Sequence, residues 1–277
     1  MRPNYLVIGA QKCATSSLCH LIGQHPDVFM TDPKEPYFFS NEDVWTRGWQ
    51  WYESLFAAAA GKIAIGEGST TYTQNGLHPA APQRIAEHLP DAKLIYIVRD
   101  PLDRIVSHYL HLRSKGGQEQ ASFSVAVRRK PQYIDNSQYL HQIELYRQHF
   151  PDRQIHVDFF EDLKSAPDAV LRRCLGFLGV DPDRMSDADW RPQHVSAEGR
   201  VDTGLLRLAR HIPLFGAASR ALPEAITAVL RRGLKTPVEQ RPQWDNETRA
   251  WALSQLAEPS REFLKQYGKG EDFWRLD

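Results

Sequence analysis

The sequence predicts an α/β protein of three layers, in which a central parallel sheet is flanked by helices. Three observations predict it: short apolar runs rich in β-branched and aromatic residues, helix-forming segments alternating with them, and a glycine-bearing loop directly after the first run. Four runs, at residues 5–8, 63–65, 94–98 and 155–160, are β-branched or aromatic and short enough for buried strands of a parallel sheet. Helices are expected at residues 15–22, 79–88, 102–113, 137–149 and 167–178, with a last one from about residue 246 to 267. Folds of this kind bind ligands outside the carboxyl ends of their strands, so the loops after Ile8 and after Val98 are expected to face one site.

The first of these loops runs Gly9-Ala10-Gln11-Lys12-Cys13-Ala14-Thr15-Ser16-Ser17 into a helix. Successive backbone N–H groups and the helix dipole favour an anion there, Lys12 adds a point charge, and Thr15, Ser16 and Ser17 add hydroxyl donors. The arrangement is P-loop-like in geometry but not in spacing. A nucleoside triphosphatase loop reads G-x-x-x-x-G-K-[ST], and Gly-Lys-Ser occurs nowhere here. Capping of a helix by lysine and hydroxyls is the plainer use of the same residues.

The second loop continues a buried strand as Val98-Arg99-Asp100-Pro101, and Asp-Pro is a helix-opening pair. Arg99 therefore points to the same edge as Lys12. Ser107 lies two turns into the helix, where its hydroxyl can share a phosphate with a bidentate guanidinium. An ion pair between Arg99 and Asp103 is the competing use of that arginine. His111, one turn beyond Ser107 on the same face, is either a helper base in the cleft or a solvated helix residue.

Charge and cysteine usage narrow the classes further. The 34 basic and 34 acidic residues cancel, so nothing in the balance points to nucleic acid or an acidic membrane surface, and an anion site must be local. Cys13, Cys19 and Cys174 form no metal-ligand spacing and are expected as free thiols of a reducing compartment. The chain reaches its first strand directly after Met-Arg-Pro-Asn, without the apolar stretch of a signal peptide or transmembrane segment, so a cytoplasmic location is expected.

The Lys-x-x-Thr-Ser loop, together with Arg-Asp-Pro-x-x-Arg-x-x-Ser-x-Tyr after a strand, resembles the family of sulfotransferases that use 3′-phosphoadenosine 5′-phosphosulfate (PAPS). Within that family it is most similar to the heparan sulfate N- and 3-O-sulfotransferase branch and its bacterial relatives. The resemblance implies that Lys12, Cys13, Ala14, Thr15, Ser16 and Ser17 hold the 5′-phosphosulfate, while Arg99 and Ser107 hold the 3′-phosphate. It also implies that Lys34-Glu35-Pro36-Tyr37-Phe38-Phe39 carries the catalytic base at Glu35, where neighbouring aromatics would raise the carboxyl pKa. Phe160, in a segment similar to the family's Tyr-Glu-Asp-Leu, is expected against adenine or in the core. Ser196, Gly199 and Arg200 resemble a late Gly-Arg loop closing over the 3′-phosphate.

The implied chemistry is in-line sulfuryl transfer to a hydroxyl or amine of a carbohydrate, lipid or small-molecule acceptor. Glu35 would act as base, Lys12 would stabilise the leaving oxygen, His111 is a possible helper, adenosine 3′,5′-bisphosphate would leave, and no metal is required. The alternatives are a nucleotide-dependent small-molecule kinase, against which the missing Gly-Lys-Ser argues, and a non-catalytic PAPS-binding module. The expected organisation is a single domain over residues 1–277. Residues 1–190 would form the α/β core, and 191–277 a donor-covering loop, a helical lid and a C-terminal helix.

Two features depart from the family pattern or stay open. Gly68 stands where 3-O-sulfotransferase-like sequences place the lysine of a Glu-Lys pair, so a cation expected near sulfate or acceptor is missing. Residues 205–234 carry Arg207, Arg210, Arg220, Arg231 and Arg232, and are either a cover over the acceptor site or a membrane-surface element. Pro213 and Pro223 break the stretch into short pieces, which favours the cover. Trp45, Trp49, Trp51 and Tyr52 suit an acceptor pocket or the core equally.

Overall fold

The protein is described by a computed structural model. It describes residues 1–114, 118–185, 200–202, 235–237 and 241–277, with backbone alone at 200–202 and 235–237. The elements follow in the order β1 (Tyr5–Gly9), α1 (Thr15–Gly23), β2 (Val28–Met30), α2 (Glu42–Trp45), α3 (Gly48–Ser54), β3 (Ala64–Gly68), α4 (Ala81–His88), β4 (Lys93–Val98) and α5 (Pro101–Ser114). They continue with α6 (Phe123–Arg129), α7 (Gln132–Asp135), α8 (Tyr139–Arg147), β5 (Ile155–Phe159), α9 (Phe160–Ser165), α10 (Pro167–Leu178), β6 (Arg200–Asp202), β7 (Lys235–Pro237) and α11 (Asn246–Gln266).

β1 to β5 form one parallel sheet in the order β2-β3-β1-β4-β5, flanked by helices in the three-layer, P-loop-like arrangement. Every residue of β1 is buried, as are Leu94 to Val98 of β4, which is why both read as uninterrupted apolar runs. The chain fills one side of β1 with β2 and β3 before crossing to β4 and β5 on the other. The strand order therefore switches between β1 and β4, the position where open α/β sheets leave a crevice at their carboxyl ends.

β2 was not anticipated by the hydrophobic pattern. It is a three-residue edge strand that exists because Val28 to Met30 pair with Ala64 to Gly66 of β3. β3 likewise runs on through Gly66-Glu67-Gly68, residues of poor strand propensity, because Tyr5 to Val7 of β1 pair with them. In both places pairing between distant segments overrides local preference.

α5 is held on two sides. Its Asp100 carboxylate accepts from the Asp103 N–H at 3.0 Å as the N-cap, with Pro101 at the first helical position. Leu102, Ile105, Val106 and Tyr109 bury against α6, α7 and Ala252 and Leu256 of α11, a cluster separate from the main core around the sheet. No helix among the described residues is long and apolar enough to cross a membrane. The arginine-rich stretch at 205–234 lies outside the described residues, as do Ser196 and Gly199.

Candidate active site

The loop after β1 needs glycine at its start, because a Cβ on Gly9 would sit 1.9 Å from the Thr73 hydroxyl oxygen. That hydroxyl donates to the Ile8 carbonyl at 3.0 Å, and the Ala10 N–H donates to Ile97 of β4 at 2.7 Å, tying the loop to the neighbouring strand. Lys12 (φ 71°) and Ala14 (φ 65°) then take left-handed backbone conformations. For residues with a Cβ this costs about 1 kcal/mol or more each, a form of strain that concentrates at ligand sites. Ala14 is the N-cap of α1 and offers no capping side chain, and the first turn holds no acid. The N–H groups of that turn, with the hydroxyls of Thr15, Ser16 and Ser17, thus retain the electropositive character of a helix start.

The loop after β4 lies alongside. Arg99 donates from Nη2 to Asp103 at 3.2 Å, stacks its guanidinium over Phe160 at 4.6 Å, and keeps its buried Nε without a hydrogen-bond partner. The competing ion pair with Asp103 is therefore present, but it leaves a donor unused. Asp103 is 46% exposed and also paired with Arg241, so releasing Arg99 from it costs little. Ser107 follows on the same helix at 9% exposure, and His111 is half-buried in its last turn.

Two charged or titratable residues of α5 that the sequence did not single out link these loops. Arg104 is fully buried and donates to the Ser137 hydroxyl (2.6 Å), the Tyr133 carbonyl (2.7 Å) and His108 Nδ1 (3.4 Å). Burial, then the positive charges of Arg104, His111 and Lys12, push the His108 imidazole down to about 2, so it stays neutral. The field of Lys12 on His108, and of Arg99 and Arg104 on the Cys13 thiol, place the two loops within electrostatic reach of each other. Cys13 itself is driven up to about 12 by burial and offers the site its backbone, not a thiolate.

Glu35 lies at the end of β3, where its N–H donates to the Gly68 carbonyl at 3.1 Å. Its carboxylate accepts from Lys34 Nζ at 2.5 Å, from the Thr70 N–H at 3.1 Å and from the Thr70 hydroxyl at 3.2 Å. Lys34 also donates to the Thr15 hydroxyl at 3.4 Å, so one lysine connects the first turn of α1 to Glu35. Glu35 (φ 68°) and Tyr37 (φ 59°) are left-handed as well; with Lys12 and Ala14 they are the non-glycine residues of positive φ among the described residues. Burial, then the charge and hydrogen bond of Glu35, push the Tyr37 phenol up to about 12.

The expected aromatic surroundings of Glu35 take a different form. Phe38 and Phe39 are fully buried, Phe38 stacking on Tyr52 at 4.2 Å, while the groups bonded to the carboxylate are a cation, an amide and hydroxyls. Trp45, Trp49 and Trp51 pack against the core and carry Arg84, Arg2 and Arg47 over their rings at 4.7, 4.9 and 4.9 Å. They form the outer wall of that core. A second carboxyl at this strand end, Glu67, is fully buried, bonded by Tyr72 (2.5 Å), Ser69 (2.9 Å) and Tyr52 (3.3 Å), and pushed by burial up to about 7.

Arg200 begins β6, a short strand paired with β7 and lying beside α5; its side chain is outside the description, as are Ser196 and Gly199. One histidine, aspartate and cysteine group among the described residues is tight enough to consider for a metal, His156, Asp158 and Cys174. Asp158 there accepts from Arg173 at 2.5 Å and from His156 at 2.6 Å. Burial pushes its carboxyl up, but these two partners hold it below the usual range, so the group reads as a buried ion pair already supplied with its cation.

A family model described as a sulfotransferase domain matches residues 2–196. The chain is 31% identical over 199 residues to the Mus musculus bifunctional heparan sulfate N-deacetylase/N-sulfotransferase 3, covering 65% of this chain and 22% of that protein. It is 33% identical over 187 residues to the Mus musculus heparan sulfate glucosamine 3-O-sulfotransferase 3B1, covering 64% and 46%. The chain thus spans less than half the length of these relatives. A solved sulfotransferase from Alicyclobacillus acidocaldarius superposes with a TM-score of 0.70 at 25% identity, covering 98% of this chain and 97% of that one. A mouse sulfotransferase complexed with PAP superposes at 0.52 with 14% identity, covering 96% and 88%, a likeness of fold.

Proposed function

The chain belongs to the sulfotransferase family, and from that premise we propose that it moves a sulfuryl group from PAPS to a hydroxyl or amine of a carbohydrate, lipid or small-molecule acceptor. The observation that carries this reading is the pairing of two anion subsites across the β1/β4 switch. One is an uncapped helix turn with Lys12, and the other is Arg99 with an unpartnered buried Nε. Their separation along two adjacent strand ends suits a ligand with a phosphate group at each end.

Lys12, Cys13, Ala14, Thr15, Ser16 and Ser17 would hold the 5′-phosphosulfate, and Arg99 with Ser107 the 3′-phosphate. Phe160 stacks under Arg99 and would fix that guanidinium in place as well as meet the base. Glu35 takes the proton from the acceptor as its oxygen or nitrogen attacks sulfur. The bond from sulfur to the bridging oxygen breaks, and Lys12 with the loop N–H groups stabilises the charge left on adenosine 3′,5′-bisphosphate. PAP in the mouse structure is this expected product. His111, at the far end of α5 from Arg99, would assist at most from the acceptor side. A cytoplasmic location agrees with three buried free cysteines.

The test is incubation with labelled PAPS and a panel of glycans, phenols, amines and lipids. Label recovered on one acceptor class supports the reading and names the acceptor. No transfer to any member, combined with tighter binding of ATP than of PAPS, would sink it in favour of a kinase.

A further inference from the structure

We propose that Lys34 is a cation shared between the sulfuryl end of the donor and Glu35, so that donor binding is what releases the base for work. The inference rests on the sulfuryl-transfer reading of Thr15 and Glu35. Lys34 is not a solvated surface lysine: its side chain is 19% exposed, with Nζ 2.5 Å from Glu35 Oε1 and 3.4 Å from the Thr15 hydroxyl. Its stem passes closely over Gly68. A Cβ on Gly68 would stand 3.3 Å from Lys34 Cε and 2.7 Å from Cys19 Sγ. The cation missing from position 68 is thus supplied from position 34, across the same strand end.

An ammonium has three N–H donors and turns readily about its stem. In the structure it is bonded to Glu35 Oε1, and the same carboxylate accepts from the Thr70 N–H and hydroxyl and from the Tyr37 phenol, so the oxygen that would take the acceptor's proton is occupied. The other contact of Lys34 is Thr15, on the helix turn where the sulfuryl oxygens would arrive. Those oxygens bring negative charge within reach of Nζ. As the ammonium swings toward them its bond to Glu35 weakens, and Oε1 becomes free to accept the proton of the acceptor.

Binding of PAPS and of adenosine 3′,5′-bisphosphate, which lacks the sulfuryl group, separates this role from packing. Lys34→Met is expected to weaken PAPS by about tenfold, the size of one charge-assisted hydrogen bond, while leaving the bisphosphate within about twofold. Lys34→Arg keeps a cation and should keep most of the preference; Lys34→Gln serves in the same assay if the methionine variant does not fold. Glu35→Gln releases the ammonium and should tighten PAPS relative to the bisphosphate by about threefold when Lys34 is present, but not beside Lys34→Met. An unchanged ratio, an equal loss for both ligands, or additive effects in the double variant overturns the proposal. Failure of the unaltered protein to bind either ligand would instead overturn the donor assignment.

Discussion

The two edges of the cleft are built by different means. At the ends of β1 and β4 the groups proposed to hold the donor are backbone N–H groups, Lys12 and Arg99, each within a few residues of its own strand. Around the end of β3 the groups are side chains brought together from distant segments: Lys34 and Glu35 from one, Thr70 from another, Thr15 from a third. The second edge also holds two carboxyls of opposite character. Glu35 is 21% exposed and clamped by a cation, whereas Glu67 has no exposure and is bonded by three hydroxyls. Charge alone would not tell them apart. Burial does, because only the first is exposed to solvent at all.

The strongest way to break this contrast is at the donor edge. Lys12→Ala is expected to lower kcat/KM by at least about 10³-fold, since it removes the point charge proposed to stabilise the leaving oxygen. Turnover within tenfold of the unaltered protein would show that the loop serves only to cap a helix. Next comes Glu35→Gln, expected to cost about 10²–10³-fold in kcat, the usual range for a lost general base. An undiminished kcat would move the base elsewhere and leave Glu35 a structural partner of Thr70.

The smallest effect distinguishes Glu67 from Glu35 through stability. Its carboxyl lies near 4.5 when unfolded and is raised to about 7 in the fold, so the native state holds the proton over that interval. Its contribution is therefore fully present below pH 4.5 and is lost as pH rises through about 7, amounting to about 3 kcal/mol at roughly 1.4 kcal/mol per pH unit. Glu67→Gln should flatten the difference in unfolding free energy between about pH 5 and 8 by that order. Parallel curves for variant and unaltered protein would show that the buried carboxyl carries no such dependence.

Much of the fold was legible because it rests on local pattern. β1 and β4 are apolar runs, β5 alternates Ile155, Val157 and Phe159 with polar residues, and α5 is announced by Asp100-Pro101. β2 and the Gly66-Glu67-Gly68 end of β3 were not, because they are strands only through their neighbours. In the site, Lys12, Arg99, Ser107 and Glu35 fall on motifs with spacing. Lys34 and Glu67 stand beside Glu35 and Gly68 in the same segments, but their long-range partners and that of Thr70 are set by packing between segments and not by spacing. His108 sits in a helix pattern that does not reveal how closely α6, α7 and α11 surround α5.

By itself the sequence determined the layered α/β class and the two loops at one sheet edge, with Lys12 on the first and Arg99 on the second. These depend on hydrophobic periodicity, helix caps and short motifs, whose physics acts within a few residues. Only the tertiary structure decided which carboxyl is accessible, that Arg99 keeps an unused donor, and that the cation absent at position 68 is supplied by Lys34. Burial and electrostatic pairing depend on what packs across the sheet end, and that packing is set by contacts between segments far apart in the chain.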